Sequence, residues 1–302
     1  MTAPDPRPGR SPTRAQRTWA AIERHRWAGA FVVLSIACTW VPLFAVLRLT
    51  GDPTASSGST ALWVLGGLGP AIAAFAIAAA GDGREGIRAL ARGMLHWRLG
   101  RWYLLLLAPL PVGAAAVLIA AVTGPAELDM AGLAEWYLLP VLFVGGVILG
   151  GFEEVGWRGY LLPRLQERWS ALTASVAVGL VWSVWHTPLF LMQGTTQASV
   201  SIVWFTVQAV ALSIVLTWAY NSTRGSVLLA VLAHGALNAW YTAAVQWLAP
   251  DTLETFTAYA ALILVAGAAV LLWHFGPRDL SAQPRNRWST GIPRDETAGS
   301  PI

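Results

Sequence analysis

The chain has 302 residues, of which 55% are hydrophobic and only 12% charged, with seventeen tryptophans, and this composition excludes a soluble globular domain. Its formal net charge of +4 rests on arginine as the sole basic residue type. That suits positively charged loops and contact with anionic lipid, and gives no reason to invoke nucleic acid. A polytopic membrane protein is left.

The first 26 residues, "MTAPDPRPGRSPTRAQRTWAAIERHR", are rich in Pro and Arg and read as a disordered cytoplasmic tail. A helical crossing takes about 20 apolar residues, and that ruler gives about eight candidates along the chain. The first, 27–49, starts too late and runs too long for a cleaved signal peptide, so it reads as a retained helix. Cys38 lies inside it as the lone cysteine, which excludes an internal disulfide and leaves a packing role. The others are 61–80, 102–122, 136–153, 172–192, 199–219, 226–247 and 256–275. All are continuously apolar rather than alternating, so the expected fold class is all-α and not a membrane barrel. Residues 277–302 are polar and read as a second disordered cytoplasmic tail, leaving 27–276 as one eight-helix membrane domain.

Orientation follows from the arginines. Arg7, Arg10, Arg14, Arg17, Arg24 and Arg26 precede the first span; Arg84, Arg88, Arg92, Arg98 and Arg101 lie between the second and third. Arg158, Arg164 and Arg168 follow the fourth, Arg224 precedes the seventh, and Arg278, Arg285, Arg287 and Arg294 follow the eighth. The opposite loops hold Arg48 and the acids Asp52, Glu127, Asp129, Glu135, Asp251 and Glu254. The positive-inside rule then places both termini in the cytoplasm and requires an even number of crossings.

The stretch "GGFEEVGWRGYLLPRL" from Gly150 puts two carboxylates at the expected cytoplasmic end of the fourth span. Acids there can simply mark a helix end, but ionisable groups near a bilayer interior are costly and are functional candidates by default. Glu154 and Arg158 are four apart on one helix face, a good ion-pair spacing, while Glu153 points about 100° away. One carboxylate is anchored and its neighbour left free to act as a base. Of the histidines, His25, His96 and His274 fall in tails, loops or a helix end. His186 lies in "VWSVWHTPLF" of the fifth span with Trp182 one turn before it, and His234 lies in "LAHGALN" of the seventh with Asn238 one turn after it. A single intramembrane histidine is more often a helix-packing hydrogen-bonder. Two of them, with an amide and a carboxylate pair on three helices, supply a base, an imidazole, oxyanion donors and possible metal ligands.

At these residues the chain resembles the intramembrane endopeptidases related to type II CAAX prenyl proteases and to bacteriocin-processing or immunity proteins, the CPBP family. Glu153, Glu154 and Arg158 match its E-E-x-x-x-R motif, Trp182 and His186 its aromatic-x-x-x-H motif, and His234 and Asn238 its H-x-x-x-N motif. The resemblance covers roughly 102–247, and the departure is Trp182 where Phe is usual, an exchange that reshapes the substrate pocket but removes no reactive group. It implies peptide-bond hydrolysis inside the membrane, on a membrane-associated protein or peptide. Glu153 with His186 would activate water, His234 and Asn238 would stabilise the oxyanion, and Glu154 with Arg158 would hold the site in shape. For a cofactor it leaves two readings: zinc held by Glu153, His186 and His234, or the preferred metal-free glutamate mechanism. The all-arginine, alanine-rich chain looks bacterial, which implies a multi-pass protein of the cell membrane.

Two other classes stay in view, an ion- or proton-coupled transporter and a non-catalytic immunity or scaffold protein of the same fold. No internal repeat supports the first, and no motif residue is missing as the second would favour. Counted at 1.5 Å per residue, His234 falls near mid-bilayer, His186 nearer the outer face and Glu153 at the inner boundary, depths that conflict with a shared site. A fourth helix broken or re-entrant around Gly150, Gly151 and Gly156, with an interfacial turn after Trp169, would reconcile them.

Overall fold

The computed structural model describes residues 14–123, 137–248 and 252–283. Among them the regular elements are all helical. Among the described residues, seven helices are long and apolar enough to cross a membrane, or eight if one bent pair counts as a single crossing. In order they are Trp27–Leu49, the bent pair Ser57–Gly67 with Gly69–Met94, Gly100–Ile119, Leu139–Gln166, Ala171–Leu191, Ile202–Ser222, Val227–Ala244 and Leu253–Phe275. These are the eight expected crossings, shifted by a few residues at most ends. The bend of 48° in the second falls at Leu68, just before Pro70 opens the following helix, because proline is pre-set for a first helical turn.

Serine side chains start several of these helices. Ser56, Ser170 and Ser201 each accept a backbone N–H from the first turn of the second, fifth and sixth spans, satisfying donors that the helix leaves unpaired. The fifth span packs on the sixth, the sixth on the eighth, the fourth on the seventh and the first on the bent second. The main core gathers around Trp157, which meets Phe31 edge-on at 5.7 Å and Trp185 at 6.1 Å.

Three expectations change here. The fourth span does not stop at residue 153 and is not broken: it runs 28 residues to Gln166. It carries two widened π-helical segments, Val147–Gly151 and Trp157–Leu161, on either side of Glu153–Gly156. Glu153 and Glu154 therefore sit near the middle of a crossing, and Arg158 is a fully buried span residue and not a loop cation. The hydropathy signal failed because these groups find polar partners inside the protein, which a window average cannot register. Second, the first helix begins at Arg14, within the segment read as a disordered tail; residues 1–13 lie outside the described part.

Third, residues 277–283 are docked and not free. The carbonyls of Pro277 and Arg278 accept from the backbone N–H groups of Leu172 and Ala171 at the start of the fifth span. Leu280 is fully buried, and the Asn221 side chain donates to the Asp279 carbonyl at 2.9 Å. The disorder expected for 284–302 falls outside the described residues.

Candidate active site

The site is assembled on the fourth, fifth, sixth and seventh spans. It starts with backbone proximity between the fourth and seventh. A methyl group added at Gly146 would lie 2.5 Å from the Gly235 carbonyl oxygen, and one at Gly151 would lie 2.5 Å from that of Val231. Small residues at the contact let two membrane helices touch backbone to backbone, which brings their polar side chains within reach.

Glu154 is the centre of the charged part. Arg158 Nη1 donates to both of its oxygens, at 3.0 and 2.8 Å, and His234 Nδ1 lies 2.9 Å from Oε1. Arg158 also donates through Nη2 to the carbonyl of Ser213 on the sixth span at 3.2 Å. Both Glu154 and Arg158 are wholly inaccessible to solvent. Burying such a pair is tolerable only when each charge finds several partners, and breaking it strands the survivor. The expected ion pair is present, and it extends to His234, a link that sequence spacing did not contain.

Glu153 does diverge from Glu154 but is not free. Its Oε2 accepts from Trp182 Nε1 at 2.6 Å and, more weakly, from Trp157 Nε1 at 3.4 Å. Trp182, expected to shape a substrate pocket, is only 4% exposed and connects the whole cluster. Its carbonyl lies 2.9 Å from His186 Nδ1, and its ring meets those of His186 at 5.6 Å and His234 at 5.1 Å. A carbonyl can only accept, so His186 carries its proton on Nδ1 and presents the lone pair of Nε2. The His186 ring is further walled by Trp185 and Phe205, with centroids 4.6 and 4.9 Å away. Trp185 in turn donates to Thr39 of the first span at 2.8 Å, fixing the end of the fifth helix.

Asn238 completes the expected set. A methyl group on Gly150 would stand 2.0 Å from Asn238 Nδ2 and 3.2 Å from His234 Nε2, so the amide and the imidazole flank the same bare stretch of backbone. The seven expected residues are thus brought together, across helices whose linear depths had seemed incompatible. Sequence reasoning missed four contributors: Trp157, Phe205, the Ser213 carbonyl and the side-chain-free face of Gly150. Ser213 and Gly150 act through backbone, which leaves no chemical signature in a residue name.

The residues read as a zinc set do not fit one as arranged. Among the described residues, no group of three His, Cys, Asp or Glu side chains is placed to hold a metal ion. The Glu154 oxygens are committed to Arg158 and His234, and Oε2 of Glu153 to the two indoles.

Comparison with known proteins finds a family model and a relative that match part of the chain. Residues 134–240 match the family model of the type II CAAX prenyl endopeptidase Rce1-like proteins, a segment that holds all seven expected site residues. The chain is 31% identical over 141 residues to the CAAX prenyl protease 2 of Methanococcus maripaludis, covering 45% of this chain and 50% of that protein. It thus spans about half the length of this curated relative.

Proposed function

We propose that the chain is an intramembrane endopeptidase that hydrolyses a peptide bond in a membrane-associated protein or peptide. The observation that carries the reading is a buried carboxylate, Glu153, oriented by an indole donor beside two histidines and an amide on three separate spans. Water attacks the substrate carbonyl carbon while Glu153 takes its proton, with His186 Nε2 as the second acceptor that holds the water in line. The carbonyl π electrons move onto oxygen, where the Asn238 amide and His234 Nε2–H donate to it. His234 can donate from Nε2 only with both ring nitrogens protonated; the two positive charges of His234 and Arg158 are then balanced by the Glu154 and Glu153 carboxylates, and by the oxyanion once Glu153 has taken the proton. The intermediate collapses by breaking the C–N bond, and Glu153 returns its proton to the departing amine. The arginine distribution supports an orientation with both termini in the cytoplasm, and the all-arginine, alanine-rich composition supports a bacterial cell.

The test compares membrane proteomes of cells carrying wild type and Glu153→Ala by terminus-enriched mass spectrometry. New protein termini that depend on Glu153 are expected. Identical terminus profiles from the two strains would overturn the reading in favour of a transporter or scaffold.

A further inference from the structure

Trp182 stands out because its ring and backbone meet every other member of the cluster except Glu154 and Asn238. Its indole N–H donates to Glu153, its carbonyl faces His186 Nδ1, its ring edges contact both histidine rings, and the Arg158 guanidinium lies 5.7 Å over its face. A buried aromatic at this position needs no polar hydrogen for packing, and phenylalanine would fill the core between the fourth and fifth spans without one. The N–H is nevertheless aimed at a carboxylate oxygen at 2.6 Å, a charge-assisted geometry. The Trp157 N–H approaches the same oxygen, Oε2, from one turn along the fourth span.

We propose that Trp182 is a positioning residue for hydrolysis: with Trp157 as a weaker second donor, it pins Oε2 of Glu153 so that Oε1 is the oxygen that takes the proton from water. The inference rests on the endopeptidase reading and adds a role that the motif match did not supply, since the usual residue there has no donor. A carboxylate with two equivalent oxygens and free rotation spends part of its time turned away from the water. Fixing one oxygen selects a single productive orientation, which acts on turnover and not on substrate affinity. The backbone carbonyl of the same residue sets the tautomer of His186, so two proton acceptors are aligned by one residue.

The experiment uses the full chain in lipid nanodiscs with Trp182 replaced by β-(3-benzothienyl)alanine, an isostere that keeps the shape and exchanges the N–H for sulfur. Trp182→Phe is measured alongside. On a peptide found by the Glu153→Ala comparison, kcat is expected to fall about tenfold in the isostere, the equivalent of about 1.4 kcal/mol, with KM within about twofold of wild type. A residue that merely packs predicts wild-type kcat in the isostere, and that result overturns the proposal, as does a rise in KM that accounts for the whole loss. Nitrogen-15 labelling of the indoles supplies a readout independent of activity. The resonance that disappears in Trp182→Phe is expected to move in Glu153→Gln; the same position in both backgrounds would also overturn the proposal. If wild type cleaves no peptide at all, the endopeptidase reading fails by itself, and the indole resonance still decides whether Trp182 holds Glu153.

Discussion

At the scale of single residues, the two adjacent glutamates have separate partners, and their substitutions separate accordingly. Glu153→Ala, His186→Ala and His234→Ala each remove a different proton-handling group, so each is expected to lower peptide cleavage at least about 100-fold while the protein remains membrane-inserted. Cleavage assays on purified variants check this, and full activity in any of the three would remove that residue from the mechanism. Glu154→Gln leaves the buried Arg158 guanidinium without its counter-charge and weakens the contact to His234. Loss of a buried partner costs about 3–5 kcal/mol, so this variant is expected to show a clearly lower thermal midpoint in detergent. Glu153→Gln keeps an acceptor oxygen for the Trp182 N–H, and its midpoint is expected to stay close to wild type. Equal losses in the two would mean that the division of roles is wrong.

At the scale of elements, the fourth span shows what a sequence discloses and what it conceals. The crossings themselves were legible, since continuous apolar runs of the right length leave few alternatives. So was the set of candidate residues that the fold brings together, because charged and imidazole side chains inside such runs are expensive enough to demand a use. The end of the fourth span was not legible. Glu153, Glu154 and Arg158 look like an aqueous boundary to any linear reading, and only the three-dimensional arrangement shows that Glu154 pairs with Arg158 and Glu153 with two indoles in the interior. The contribution of Gly150 was hidden for a related reason: its role is the space it leaves beside Asn238 and His234. Gly150→Ala is expected to displace that pair and lower cleavage about 100-fold, the scale on which oxyanion donors act. Gly145→Ala, on the same helix but with nothing within 4 Å of the added carbon, is the control. It should cleave normally and be no less stable, since alanine is the better helix former.

At the scale of the whole molecule, the segment after the eighth span ties the start of the fifth span to the end of the sixth. Its carbonyls cap the start of the fifth span, Leu280 is fully buried, and Arg224 reaches Gln283. A chain ending at residue 276 loses one buried leucine and several hydrogen bonds, a cost of about 3–5 kcal/mol. Thermal unfolding of that truncated protein is expected to begin at lower temperature, and an unchanged midpoint would show the docking to be incidental. The four-residue spacing of Glu154 and Arg158 has a consequence for biogenesis. When the fourth span leaves the ribosome, none of the fifth, sixth or seventh exists to receive its charges. A carboxylate and a guanidinium one turn apart close on each other inside a single helix, so the segment enters the bilayer with that pair already neutralised. His234 is synthesised 80 residues later and joins a carboxylate that is waiting for it. The order of synthesis and the order of charge compensation therefore coincide, and an acid placed there with its cation on a later helix would have to cross into lipid alone.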